Sequence, residues 1–184
     1  MKATGIVRRI DELGRVVIPK EIRRTLRIRE GEPLEIFTEN GGEVVLKKYS
    51  PIGEISAIAQ DYCDSLHRTL GTTVVLCDRD QTVACAGINR REMVEKPLST
   101  ELERVLEERR SVTINAADGS RPLPVCAEDN PGQYTAQMIV PVVADGEVIG
   151  GILLLSRDNG ARMGDVERKV AETTAIIIGR QMEQ

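Results

Sequence analysis

Apolar and polar residues change their period several times along this chain, and each change marks an element. "GIVRRI" and "RVVI" are short apolar-rich runs on either side of "DELG", which predicts two short strands joined by a turn. Pro19 follows, and proline suits the first turn of a helix because its missing N–H has no intrahelical partner there. "KEIRRTLR" then places Ile22 and Leu26 four apart on one face, about two helical turns, with Lys20, Arg23, Arg24 and Arg27 directed elsewhere. "REGEP" ends that helix. "PLEIFTE" and "EVVLKKY" alternate apolar and polar residues around "NGG", a strong hairpin signal.

After "KKYSPIGE" the period becomes helical. Ser50 suits a cap, Pro51 a first turn, and Ile55, Ile58, Ala59, Tyr62, Leu66 and Leu70 form an apolar stripe ending at Gly71. His67 lies beside that stripe and reads as a packed or surface residue rather than a ligand. "TTVVLCD" and "TVACAG" predict strands around the turn "RDQ". "STELERVLEERR" predicts an amphipathic helix capped by Ser99 or Thr100, and "SVTI" a short strand. "NAADGSRPLPVCAEDNPGQ" is a long polar loop, and "TAQMIVPVV" and "EVIGGILLLS" are strands joined by Asp145-Gly146, a favoured two-residue turn. In the closing helix Met163, Val166, Val170, Thr173 or Thr174, and Ile177 recur at steps of three and four, the spacing of a helix–helix seam. The order predicts an antiparallel sheet with helices packed on a face, an α+β domain over residues 51–184 behind a smaller one over residues 1–50.

Charge separates the two parts. The chain is acidic overall, with 25 Lys and Arg against 29 Asp and Glu, yet residues 1–50 hold 11 basic and 8 acidic side chains. "GRVVIPKEIRRTLRIREG" alone has six basic residues against two Glu, so the first part faces a polyanion. Arginine suits that task, because its planar fork binds two phosphate oxygens or the O6 and N7 of guanine and stays charged. The four cysteines form no Cys-x-x-Cys pair and there is one histidine, so no metal site is expected and the thiols read as small buried groups. Cys126, in the polar loop, is the best candidate for a reactive thiol. The apolar runs "MIVPVVA" and "VIGGILLL" are too short to span a bilayer and no secretory signal is visible, so a soluble cytoplasmic protein is expected, with no membrane partner. No phosphate loop, nucleophile elbow or acid–base set points to an enzyme.

The stretch "GIVRRIDELGRVVIPKEIRRTLRIREGEPLEIFTENGGEVVLKKY" closely resembles the AbrB-type, swapped-hairpin DNA-binding domain of bacterial transition-state regulators, with "DELGRVVIPKEIRRTL" its most specific part. That resemblance implies an intertwined dimer forming a swapped-hairpin β-barrel. It also implies double-stranded DNA as partner, contacted by Arg8, Arg15, Arg23 and Arg24, with Arg9 and Lys20 extending the set. Independently, a 50-residue unit with one Phe and one Tyr buries little surface alone, which also favours an obligate dimer. It is not a helix-turn-helix, since the single helix is short and a strand follows.

The second domain resembles small ligand-sensing domains of the GAF and PAS type, and helices at both ends favour GAF. The whole chain resembles the two-domain sporulation regulators of spore-forming bacteria. This implies a regulator of sporulation genes, activator or repressor, assembled as a tetramer of two DNA-binding dimers joined by helical bundles. Ile55, Tyr62, Leu66, Val166, Val170 and Ile177 are the seam residues expected to join them. The second domain either senses a small molecule, with the loop 115–133 closing over it, or serves as an oligomerisation scaffold; no cofactor is implied. The alternative class is an antitoxin sharing the DNA-binding domain, but such proteins typically end in a flexible tail, and residues 51–184 carry regular strand and helix patterns.

Overall fold

The computed structural model describes residues 5–183 except residue 55, and the side chains of residues 54 and 56 are also outside that description. Ile55, assigned to the seam above, therefore lies outside the described residues. The chain divides into two compact units, Met1–Tyr49 and Ser50–Gln184.

In the first unit, helix α1 (Lys20–Thr25) is followed by an antiparallel hairpin of β1 (Leu34–Glu39) and β2 (Glu43–Lys48). Pro19 stands just before the helix, its carbonyl accepting from Arg23 N–H at 3.0 Å. The hairpin closes as the alternation predicted, with Ile36 opposite Leu46 and Thr38 opposite Val44 on one face. The segments expected as strands around "DELG" differ: the turn forms, but residues 5–10 and 15–18 belong to no strand in the single chain. A strand is defined by its ladder, and a fifty-residue unit offers these segments no neighbouring strand of its own.

The second unit begins with α2 (Pro51–Glu54) and α3 (Ser56–Leu70), then β3 (Thr73–Cys77) and β4 (Thr82–Ala86). Next come α4 (Arg90–Met93), α5 (Thr100–Glu107) and β5 (Val112–Asn115), the long loop, and finally β6 (Ala136–Ala144), β7 (Glu147–Ser156) and α6 (Asp165–Met182). The five strands form one antiparallel sheet in the order β4-β3-β7-β6-β5. Asp145 and Gly146 both take positive φ, 49° and 75°, as the two-residue turn between β6 and β7 requires.

Side-chain alternation along these strands sorts the core into two layers. On one face Val74, Leu76, Val140, Ile152 and Leu154 pack against Ile52, Ala59, Cys63 and Leu66 of α2 and α3, and against Ala171, Ala175 and Ile178 of α6. On the other, Val75, Cys77, Ile139, Leu153 and Leu155 pack against Met93, Leu102 and Leu106 of α4 and α5, and against Val125, Cys126 and Tyr134 of the loop. Helices therefore cover both faces of the sheet, not one. The central strand β7 is buried over nearly its whole length, which only a two-sided covering allows.

Candidate nucleic-acid interface

The turn between the first two apolar runs is organised by Asp11. Its Oδ1 accepts from the backbone N–H groups of Leu13 and Arg15 at 3.0 and 2.8 Å, and its Oδ2 accepts from Arg15 Nε at 2.8 Å. The backbone and side-chain hydrogen bonds from Arg15 hold the Asp11 carboxyl below its ordinary range. Gly14, at φ 75°, closes the turn, its N–H donating to Asp11 O at 3.0 Å. One carboxylate thus fixes both the backbone and the guanidinium of Arg15, while most of that side chain stays in water. Asp11 was not among the residues singled out from the sequence. An Asp three before a Gly in "DELG" was its available signal.

The other cations are arranged around this turn along the chain. Arg8 and Arg9 precede it and are exposed, with Arg8 Nη1 donating to Val7 O at 3.1 Å. Lys20 and Arg24 stand exposed on α1. Arg23 is half-buried, and its Nε is buried without a hydrogen-bond partner among the described residues, a cost that a second chain or a ligand would relieve. Around these cations the large apolar side chains of the unit are bare. From Ile6 to Tyr49 twelve of them are exposed, from 37% at Phe37 to 84% at Val7, and no described residue before Ser50 is buried.

The seam residues divide between two environments. Leu66 is buried in the core of its own unit, and Tyr62 and Val170 pack partly against that core, Tyr62 Oη donating to Gln181 Oε1 at 2.9 Å. Val166 and Ile177 point outward, 65% and 44% exposed. Two further apolar side chains, Ile58 on α3 and Ile176 on α6, are exposed as well and were not among the seam residues read from the sequence.

The thiols are chemically quiet. All four cysteines are free and buried, and burial pushes Cys63 up to about 12 and Cys126 up to about 11. Cys126, expected as the reactive one, packs with its Sγ 3.8 Å from Met93 Sδ. The loop around it is fastened down. Gln137, fully buried on β6, pairs with both backbone groups of Leu123 at 2.7 and 2.8 Å. Asp129 accepts from Val125 N–H at 3.0 Å, Tyr134 Oη at 2.7 Å and Gln133 Nε2. Among the described residues no cluster of His, Cys, Asp and Glu could hold a metal, and no helix is long and apolar enough to cross a membrane.

Comparison with known proteins places these two units. A family model described as "Antidote-toxin recognition MazE, bacterial antitoxin" matches residues 7–54. The transition state regulatory protein AbrB of Bacillus subtilis (strain 168) is 61% identical over 51 residues, 28% of this chain and 52% of that protein. The second unit is similar in fold to the GAF domain of an Acinetobacter phosphoenolpyruvate-protein phosphotransferase. That likeness has a TM-score of 0.57 and 12% identity, covering 74% of this chain and 84% of that one. A family model described as "Stage V sporulation protein T C-terminal, transcription factor" matches residues 54–183. Stage V sporulation protein T of Bacillus subtilis (strain 168) is 50% identical over 184 residues, the full length of both chains. An AbrB-like first unit, a GAF-like second one and an alignment that runs end to end converge on one assignment: the chain belongs to the stage V sporulation protein T family of transcription factors.

Proposed function

We propose that this protein is a cytoplasmic DNA-binding regulator of sporulation genes, a transcription factor and not an enzyme, in which two chains interleave their first units into one dimer. Arg8, Arg15, Arg23 and Arg24, with Arg9 and Lys20 beside them, meet the phosphates and groove edges of double-stranded DNA. The observation that carries this reading is the first unit's surface. It exposes cations and large apolar side chains together and buries no described residue, so a second chain supplies the core and DNA the counter-charge. Arg15, held by Asp11 yet open to solvent, is pre-organised for such contacts.

The second unit ties two such dimers together through the outward apolar residues of its end helices, Ile58, Val166, Ile176 and Ile177. Linking two modules raises avidity without new contacts, by about two to four orders of magnitude over a single dimer. A small molecule held in that unit would act by shifting the helix geometry. The packing of Leu123, Val125, Cys126 and Tyr134 beneath the loop favours the scaffold role instead.

The antitoxin reading has the match of residues 7–54 in its favour. It explains less, because Ser50–Gln184 is a compact unit with its own two-layered core rather than a tail that folds on a toxin. Gel shift on promoter DNA at several salt concentrations, beside capture of a toxin partner, separates the two. Salt-dependent DNA binding with no captured toxin is expected, and the reverse result would overturn the regulator reading.

A further inference from the structure

The junction between the units is fastened at a single residue. Tyr49 N–H donates to Pro33 O at 3.1 Å, extending the hairpin of the first unit by one rung. The next residue, Ser50, already belongs to the hydrogen-bonding of the second unit. Its Oγ accepts from Gly53 N–H at 3.0 Å, capping α2, and donates to Asp78 Oδ2 at 2.8 Å. Asp78 is buried, and its other oxygen accepts from the N–H groups of Asp80 and Gln81 at 2.8 and 2.7 Å, which shapes the β3–β4 turn.

Two further observations show that this seat is tightly built. Gly53 lies so near Ser50 that a Cβ there would stand 2.9 Å from Ser50 Oγ, so the cap needs a glycine. Two residues after Ser50, Ile52 is fully buried. A Cβ on Gly150 of β7 would come 2.6 Å from Ile52 Cδ1 and 3.0 Å from Asp78 Cα, so α2, the β3–β4 turn and β7 meet with no space for a methyl group. The turn is held from a second side as well. Leu98 N–H donates to Asp80 O at 2.8 Å, and Ser99 N–H to Val125 O at 3.0 Å, so hydrogen-bonded residues run from the long loop to Ser50.

We propose that Ser50 and Asp78 form a positioning clamp that fixes the direction in which the chain leaves the second unit, and with it the spacing of the DNA-binding dimers in the assembled regulator. This rests on the reading of two linked DNA-binding dimers. Effective concentration depends on whether a junction can present both sites at once, and a junction without free residues presents them in one geometry. Asp78 acts through Ser50 and touches no DNA.

The test uses the full chain on a short duplex holding one dimer and a long duplex holding two. Ser50→Asp keeps an acceptor for Gly53 N–H but sets a second carboxylate against Asp78. Adding Asp78→Asn restores a donor to that carboxylate, while its carbonyl oxygen still accepts from Asp80 and Gln81. Ser50→Asp should leave short-duplex affinity within about twofold and cut the long-duplex advantage by about tenfold or more, and the double variant should recover it. Ser50→Ala, which loses both bonds without adding charge, repeats the comparison should Ser50→Asp not fold. A wild-type advantage on long DNA that survives both Ser50 variants, or equal losses on both duplexes, overturns the clamp alone. A wild type with no long-duplex advantage overturns the linked-dimer reading, and the clamp with it.

Discussion

Residues 1–50 expressed alone should be a dimer without a folded monomer, and Ile36 measures how much of that dimer is hydrophobic. The twelve bare apolar side chains of the first unit together expose about seven side-chain equivalents per protomer. Covering half of that surface in a dimer removes on the order of seven equivalents from water, roughly 10–20 kcal/mol at about 1.5–3 kcal/mol each. Association costs about 4–15 kcal/mol, so the dimer is stable with only a modest surplus. Ile36 is 66% exposed on the hairpin face it shares with Val44 and Leu46. Its truncation to Ala should cost about 1.5–3 kcal/mol per protomer, below the full core value because a third of it is already covered. A symmetric dimer loses this twice, which raises its dissociation constant by about two to four powers of ten. Sedimentation and thermal melts over a range of fragment concentrations read this directly, with a melting temperature that falls on dilution. Glu35→Ala, on the opposite hairpin face, serves as control and should shift the constant by no more than about tenfold. A folded monomer at any concentration, or an Ile36→Ala fragment as tightly dimeric as wild type, would refute the reasoning.

Arg8, Arg15, Arg23 and Arg24 changed singly to Ala should each weaken DNA binding, and each lost phosphate contact should reduce the salt slope by about one; unchanged slopes in all four would move the interface elsewhere. Asp11→Ala should also weaken DNA binding although it removes a negative charge, because it frees the Arg15 backbone and guanidinium; tighter binding in gel shift would show that charge outweighs turn geometry. With its folded pKa lowered, Asp11 stabilises the turn above the ordinary carboxylate value of about 3.9, and that contribution disappears as pH falls through the lowered pKa, which acid titration of the fragment's melting temperature checks. Gly179→Ala should destabilise the second unit by several kcal/mol, since a Cβ there runs into the Val143 carbonyl; a melting temperature near wild type would mean that α6 can shift away from β6. Cys63 and Cys126 should resist alkylation in the native protein at neutral pH. Because their folded pKa values are raised, the unit should lose stability as pH climbs past about 8.5, where unfolded thiols ionise, toward about 11 and 12.

Wherever the signal is local, the sequence is enough. "NGG" between two alternating runs and Asp145-Gly146 between two apolar ones specify hairpins, because few turns match strand twist and those need residues that tolerate positive φ. Ser50 and Ser99 announce helix starts, and each does accept from a backbone N–H there. The cluster of arginines in an acidic chain likewise points to a polyanion without any coordinates.

Tertiary structure decided what depends on neighbours. Which side of α6 faces inward could not be read from its large apolar residues: Val166 and Ile177 point to solvent, while Ala171, Ala175, Ile178 and Gly179 face the sheet. Small residues give a weak periodic signal, yet they are what lets the helix approach β6 so closely. Helices on both faces of the sheet, the strand order and the burial of Leu66 are likewise long-range outcomes, set by which surfaces meet. The segments 5–10 and 15–18 make the same point in reverse. Their pattern is that of strands, but a strand exists only when another backbone bonds to it, and one chain of this first unit does not supply that partner.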